Sequence, residues 1–265
     1  MRSRLWEELT TEDVAAFDRA RTVAVLPVAA IEQHGPHLPL GTDAMINEGV
    51  LGRALALAKA DLPIVALPLL SIGASGEHRD FAGTISLSAR TLLDLVTEIA
   101  EGIARAGLRK LVLFNSHGGQ PQVLEMVAQD MRTRHGMIVV VANAWRMMDR
   151  EAVLPPAERE AGLHAGGFET ALMLHLRPEL VRRDKVRDFP SAARTLEKDF
   201  PSLAAHGRVA FAWQAQDLNP AGAVGDARLG TAEMGRKLVD EAAARLVRLV
   251  EELARLPAET VDRRA

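Results

Sequence analysis

From residue 22 onward the chain alternates short, almost unbroken apolar runs with longer stretches whose apolar residues recur every three or four positions. The apolar runs are "TVAVLPVAA" (22–30), "PIVALPLL" (63–70), "LRKLVLFN" (108–115) and "MIVVVANAW" (137–145). Runs without alternation are what parallel strands look like when both faces are covered. Between them lie three stretches that read as helices. "AMINEGVLGRALALAKA" (44–60) follows a cap at Thr42 or Asp43. "SARTLLDLVTEIAEGIARAG" (88–107) has Ser88 as cap and Gly107 as stop. "PQVLEMVAQDMRTRHG" (121–136) has Pro121 in its first turn and Gly136 at its end. Strand and helix taking turns predicts βαβ units in a three-layer α/β/α sandwich with a mostly parallel sheet.

The second half is less regular. Residues 184–228 mix prolines, glycines and charges, and predict an excursion over the surface with one strand at "RVAFAW" (208–213). A final helix is expected over 231–256. No repeat, low-complexity tract or linker interrupts the pattern, so residues 1–265 are expected to form one domain.

Composition narrows the chemistry mainly by what it lacks. Cysteine is absent, which removes thiolate zinc sites, thiol nucleophiles and disulfides. A metal would have to be held by imidazole and carboxylate, a donor set that suits zinc, manganese or iron. The formal net charge of −3 offers no electrostatic reason to expect nucleic acid or an anionic membrane as partner. The first twenty residues carry five acidic side chains and no apolar signal core, and no stretch reaches the roughly 18 apolar residues of a membrane span. A cytoplasmic enzyme or binding protein is the expectation.

In a parallel sheet, ligands bind beyond the carboxyl ends of the strands. The polar clusters fall there: "EQHGPH" after the first run, "SIGASGEH" after the second and "NSHGGQ" after the third. Glu32, His34, His37, Asp43, His78 and His117 all lie in these segments, in a chain with only eight histidines. Glu32 and His34 are two apart, so in an extended segment they point to one side. Asp43 alone reads equally as an N-cap, and His34 alone as a hydrogen-bonded loop residue. His117 precedes Gly118 and Gly119, where a ligand can approach the backbone closely, although a tight strand-to-helix turn would need the glycines too. In "LHAGGFETALMLHL", His164 lies in a glycine-containing loop and Glu169 in the first turn of a helix, where a carboxylate also suits the helix dipole. His175 sits among leucines and reads as structural.

"PVAAIEQHGPHLPLGTD", "SGEHRDFAGTISLS", "FNSHGGQ" and "HAGGFETALML" resemble the creatininase family of metal-dependent amidohydrolases. The resemblance implies an α/β sandwich with two divalent ions, zinc or manganese, at the carboxyl edge of the sheet. It implies that Glu32 and His117 bind one ion, His34 and a last carboxylate the other, and Asp43 both. In creatininase that last carboxylate lies two residues after the histidine. Position 119 here is glycine, which leaves Glu169 as the replacement. His164 matches the proton shuttle, which protonates the departing nitrogen. His78, Gly118, Gly119 and Trp145 are expected to line the substrate pocket, with amides near Gly118 as oxyanion donors. The family places a tryptophan four residues before the shuttle, where this chain has Glu160. The resemblance therefore implies amide hydrolysis on a small molecule other than creatinine, with peptide trimming in cofactor maturation as the alternative. It also implies a homo-oligomer, a hexamer above all. The competing class is a flavodoxin-like module that binds a nucleotide or sugar without metal.

Overall fold

The computed structural model describes residues 2–207 and 209–257. Six strands and nine α-helices are found there. In chain order they are α1 (Thr11–Ala15), β1 (Val23–Val28), α2 (Thr42–Leu57), β2 (Ile64–Ala66), α3 (Ala89–Arg105), β3 (Lys110–Asn115), α4 (Pro121–His135), β4 (Ile138–Asn143), α5 (Pro156–Ala161), α6 (Gly167–Leu176), β5 (Asp188–Phe189), α7 (Ala193–Asp199), α8 (Ala215–Leu218), β6 (Gly225–Asp226) and α9 (Ala232–Arg255). The main sheet runs β2-β1-β3-β4 and every pairing in it is parallel.

Side chains of β1 alternate between two cores. Val23 and Val25 pack with Val50 of α2, Leu172 of α6 and Leu246 of α9. Ala24, Leu26 and Val28 pack with Val96 of α3 and Val127 of α4. The expected three layers are therefore α2/α6/α9, sheet and α3/α4. Ser88 caps α3 by accepting from the Thr91 N–H at 3.1 Å, and Gly136 ends α4 in the left-handed region.

The structure departs from the sequence pattern at three places. First, β2 spans three residues, not eight. Pro27 of β1 has no N–H to donate to the Leu67 carbonyl, so the ladder ends once Leu67 N–H has donated to the Val25 carbonyl at 2.8 Å, and the two segments meet again at Leu70, whose N–H donates to the Pro27 carbonyl at 3.0 Å. Second, the N-cap of α2 is Gly41, so neither Thr42 nor Asp43 caps it; Thr42 Oγ1 donates to the Pro39 carbonyl at 2.7 Å and Asp43 is left for other partners. Third, no strand forms over 209–213, where only a bridge joins Ala204 and Ala210; Arg208 lies outside the described residues. The 184–228 excursion is tied down instead by β5–β6 pairing and by a small core of Ala193, Ala205, Leu218 and Val224. No helix among the described residues is long and apolar enough to cross a membrane.

Candidate metal centre

Three carboxyl-edge segments and the start of α6 converge on one buried spot. Asn47 of α2 ties the edge together: its amide donates to the carbonyls of Val28 and Phe114 and to Ser116 Oγ at 3.1, 2.9 and 3.1 Å. Ser116 Oγ in turn donates to the Asp43 carbonyl at 2.9 Å. These bonds hold the first turn of α2 against the ends of β1 and β3, so Asp43 meets His117. The loop carrying Glu32 and His34 turns at Gly35, whose φ is +66° and where a Cβ would lie 2.7 Å from that of Ala223.

Three site histidines, His34, His117 and His164, each have one nitrogen facing a backbone carbonyl. His34 Nδ1 faces the Glu32 carbonyl at 3.2 Å, His117 Nε2 that of Ala74 at 3.0 Å, and His164 Nε2 that of Gln33 at 2.7 Å. Only a protonated nitrogen satisfies a carbonyl, so the outer nitrogens carry the protons. The neutral rings then turn three bare nitrogens inward. This carbonyl-anchored arrangement is how metal-binding histidines are oriented.

The inward atoms form compact groups. Donor atoms of Glu32, Asp43 and His117 lie within 4.8 Å of one another, as do those of His34, Asp43 and Glu169, and those of Glu32, His34 and His164. His117 Nδ1 is 3.2 Å from both Glu32 Oε2 and Asp43 Oδ2, and His34 Nε2 is 3.4 Å from Asp43 Oδ1 and 3.9 Å from Glu169 Oε2. Glu32 Oε2, His34 Nε2 and Asp43 Oδ2 are buried without a hydrogen-bond partner among the described residues. Orphaned polar atoms of this kind are costly unless a ligand satisfies them, and here they are nitrogen and carboxylate oxygen aimed at common points. The donor set fits divalent ions of the zinc and manganese type.

Without cations, protons take their place. Burial alone would depress the two rings, but it is outweighed: the Asp43, Glu169 and Glu32 carboxylates raise His34 to about 9, and Glu32 and Asp43 raise His117 well above the usual imidazole value. Burial would raise Glu32, yet His117 and its neighbours hold that carboxyl well below its usual range. Burial and the charge of His34 lower His164, which stays a neutral ring with Nδ1 free, 3.8 Å from Glu32 Oε1.

The remaining expected residues fall in two groups. Gly118, Gly119, Trp145 and His78 line a cavity of about 800 Å³ above the donors, with Phe168, Phe211 and Trp213 on its apolar sides. The polar atoms of His78 are committed elsewhere. The Gln33 amide oxygen accepts from the Gly35 N–H at 2.9 Å, so its nitrogen donates to His78 Nδ1 at 2.8 Å, and His78 Nε2–H points at Glu32 Oε1, 3.4 Å away. Burial lowers His78 to about 2, so it is a neutral donor that orients Glu32. His37 stands apart, stacked on Phe189 at 5.2 Å and bonded through Nε2 to Thr170 Oγ1 at 3.0 Å.

Two carboxylates were not singled out by the sequence pattern. Glu77 lies over His117 Nε2 at 3.4 Å, and a Cβ on Gly119 would sit 1.9 Å from its Oε1. Gly118, by contrast, faces open space. Glu158 is buried between three glycines: a Cβ on Gly162, Gly166 or Gly225 would fall 2.4, 2.3 or 2.6 Å from its Oε1. It accepts from the Gly167 N–H at 2.9 Å and the Asp226 N–H at 2.8 Å, which caps α6 and joins it to β6. Ala165 between them has φ +53°, the one positive value outside glycine among the described residues, and its N–H donates to Glu169 Oε2. Gly166 of "HAGGFE", with Gly162 and Gly225, thus makes room for a carboxylate that holds the loop of His164 and the helix of Glu169. Position-by-position reading could not see this, because Glu158 and Gly225 are far apart in the chain.

The sequence profile named creatininase, described as creatinine amidohydrolase, matches residues 7–250. The chain is 33% identical over 252 residues to the mycofactocin precursor peptide peptidase of Mycobacterium ulcerans (strain Agy99), covering 91% of each. It is 34% identical over 199 residues to the creatinine amidohydrolase of Pseudomonas putida, covering 71% of this chain and 75% of that protein. Among solved structures it is similar to a manganese creatininase, with a TM-score of 0.74, 27% identity and coverage of 96% and 100%. A creatininase variant in a zinc–zinc form gives a TM-score of 0.76 at 27% identity, covering 97% and 100%.

Proposed function

The chain belongs to the creatininase family of metal-dependent hydrolases, and from that premise we propose that it cleaves an amide C–N bond with water as nucleophile. The observation that carries this reading is the convergence of bare imidazole nitrogens and orphaned carboxylate oxygens at the floor of a roomy cavity. Two divalent ions, zinc or manganese, would supply there a water acidified toward neutral pH and a Lewis acid for the carbonyl.

The residues divide the work. Glu32, Asp43 and His117 would hold one ion, and His34, Asp43 and Glu169 the other, Asp43 offering one oxygen to each group. His78 and the carbonyls of Glu32, Ala74 and Gln33 fix the rings and carboxylates in place. The Gly118 N–H, beside open cavity, donates to the oxygen of the reacting carbonyl. His164, neutral and with Nδ1 bare, accepts a proton there and returns it to the leaving nitrogen.

For the substrate, a small cyclic amide and a peptide share this chemistry. The cavity lies in the upper part of the roughly 300–1,000 Å³ that suits drug-sized ligands, and four relatives are named as peptidases of a precursor peptide; both favour a peptide. The relative named creatinine amidohydrolase supports the small-molecule reading. Protein reconstituted with Zn²⁺ or Mn²⁺ should be offered short peptides, formamides and creatinine, and products followed by mass spectrometry. Hydrolysis of peptides well above creatinine is expected. Absence of bound divalent ion together with no cleavage of any amide would overturn the proposal.

A further inference from the structure

Arg150 and Arg159 are the only lysine or arginine residues among the described residues that line the main cavity. Both also line an adjoining space of about 470 Å³, which shares Met148 and His206 with the first. The acidic lining residues of the main cavity, Glu32, Asp43, Glu77 and Glu169, all belong to the donor end. The cavity is thus polarised, with carboxylates at its floor and guanidinium groups on one wall.

The two arginines are under-partnered. The Arg150 guanidinium lies 5.5 Å over the Phe168 ring and has no carboxylate within ion-pair distance among the described residues. Arg159 Nε is buried without a hydrogen-bond partner among the described residues. Among the described residues its Nη1 meets only Glu151 Oε1 at 3.4 Å, and that side chain is 84% exposed, so the pair is screened by solvent and weak. A guanidinium presents donors in a planar fork that suits carboxylate or phosphate, and leaving such donors unpaired in a cavity is costly. Once divalent ions offset the floor carboxylates, the donor end has no surplus negative charge to attract the arginines. Asp149, Glu151 and Glu160 line the adjoining space, but among the described residues only Glu151 comes within ion-pair distance of either guanidinium, which leaves room for an anion between them.

Resting on the reading of the floor as an amide-hydrolysing centre, we propose that Arg150 and Arg159 form an oxyanion-binding subsite. It holds a carboxylate or phosphate group that the substrate carries on the side of its scissile amide away from the ions. The subsite selects amides with a terminal negative charge and orients them across the cavity.

The test is a binding measurement on zinc-loaded protein, so that it does not depend on turnover. Calorimetry compares N-acetyl-Ala-Ala-Ala with its C-terminal carboxamide, in wild type and in Arg150→Gln/Arg159→Gln. The free acid should bind roughly 10- to 100-fold tighter than the carboxamide, as expected for charge-assisted hydrogen bonds. The double variant should lose that preference while keeping its zinc content and its affinity for the carboxamide. Arg150→Gln alone, which removes no ion pair, should show a reduced preference even where the double variant fails to fold. Competition by a nucleoside monophosphate against the tripeptide acid then separates the sources: stronger competition than by a second peptide acid assigns phosphate, weaker competition assigns carboxylate. Equal binding of acid and carboxamide, binding of neither, or a preference that survives in the variants would overturn the subsite. Cleavage of the tripeptide is scored separately and bears on the proposed hydrolysis alone.

Discussion

Glu158→Ala tests whether the buried carboxylate between the glycines organises the metal centre. The substitution removes both acceptors at once, leaving the buried Gly167 N–H and the partly buried Asp226 N–H without partners. A buried N–H left unpaired costs about 1–3 kcal/mol. The second donor reaches solvent more easily and water can enter beside three glycines, so about 3 kcal/mol is the combined figure. At roughly 2–4 °C per kcal/mol for a chain near this size, the melting temperature should fall by roughly 6–12 °C. The damage should not be uniform. Gly167 opens α6 and Glu169 lies in its first turn, so the ion held by His34, Asp43 and Glu169 should bind roughly 10- to 100-fold more weakly, while the ion of Glu32, Asp43 and His117 is retained. Scanning calorimetry gives the first quantity and zinc titration with stoichiometry the second. Glu158→Gln keeps one acceptor oxygen and should fall between. An unchanged melting temperature with two ions bound at wild-type affinity would refute the reasoning.

Other predictions concern protons and ions. His34 titrates at about 9 in the ion-free protein and His117 well above 6.5, so ion binding should release protons at pH 7, and affinity should rise with pH up to about 9; equal calorimetric heats in buffers of different ionisation enthalpy would contradict this. The same raised values contribute stability that is full below the unfolded imidazole value and lost as pH climbs through about 9, so metal-stripped protein should melt lower at pH 9.5 than at pH 6.5, with the metal-loaded form nearly flat. His164→Ala should keep its ions while kcat drops roughly 10²–10⁴-fold and one limb of the pH–rate profile disappears; loss of an ion would make His164 a ligand with Glu32 and His34. Asp43→Ala should lose both ions, as atomic absorption would show, because its two oxygens serve both groups.

Much of the architecture was legible because parallel strands covered on both faces leave unbroken apolar runs, as β1 and β3 do. The donors at the carboxyl edge were legible for a related reason: Glu32, His34 and His117 lie in the segments that leave β1 and β3, Asp43 opens the helix after β1, and a parallel sheet brings strand ends together. What could not be read was geometry set by distant partners. Pro27 lies within an unbroken apolar run, and only its place opposite Leu67 shows that it ends the β1–β2 ladder. Asp43 passes for a helix cap until Gly41 is seen in that place. Glu158 carries no signal of its own in the sequence, and the role of its glycines depends on β6.

The close approach of Gly119 and Glu77 has a combinatorial consequence. Two positions 42 residues apart compete for a volume that admits one side chain. They behave as a single choice: a carboxylate delivered from 77, or a side chain grown from 119. Gly119→Ala should therefore be less harmful in a Glu77→Gly background, where only the approach to His117 Nε2 at 2.6 Å remains, than with Glu77 present, so the size of one substitution's effect depends on the other. Any engineered path that moves the carboxylate from one segment to the other must pass through an overfilled or an emptied intermediate.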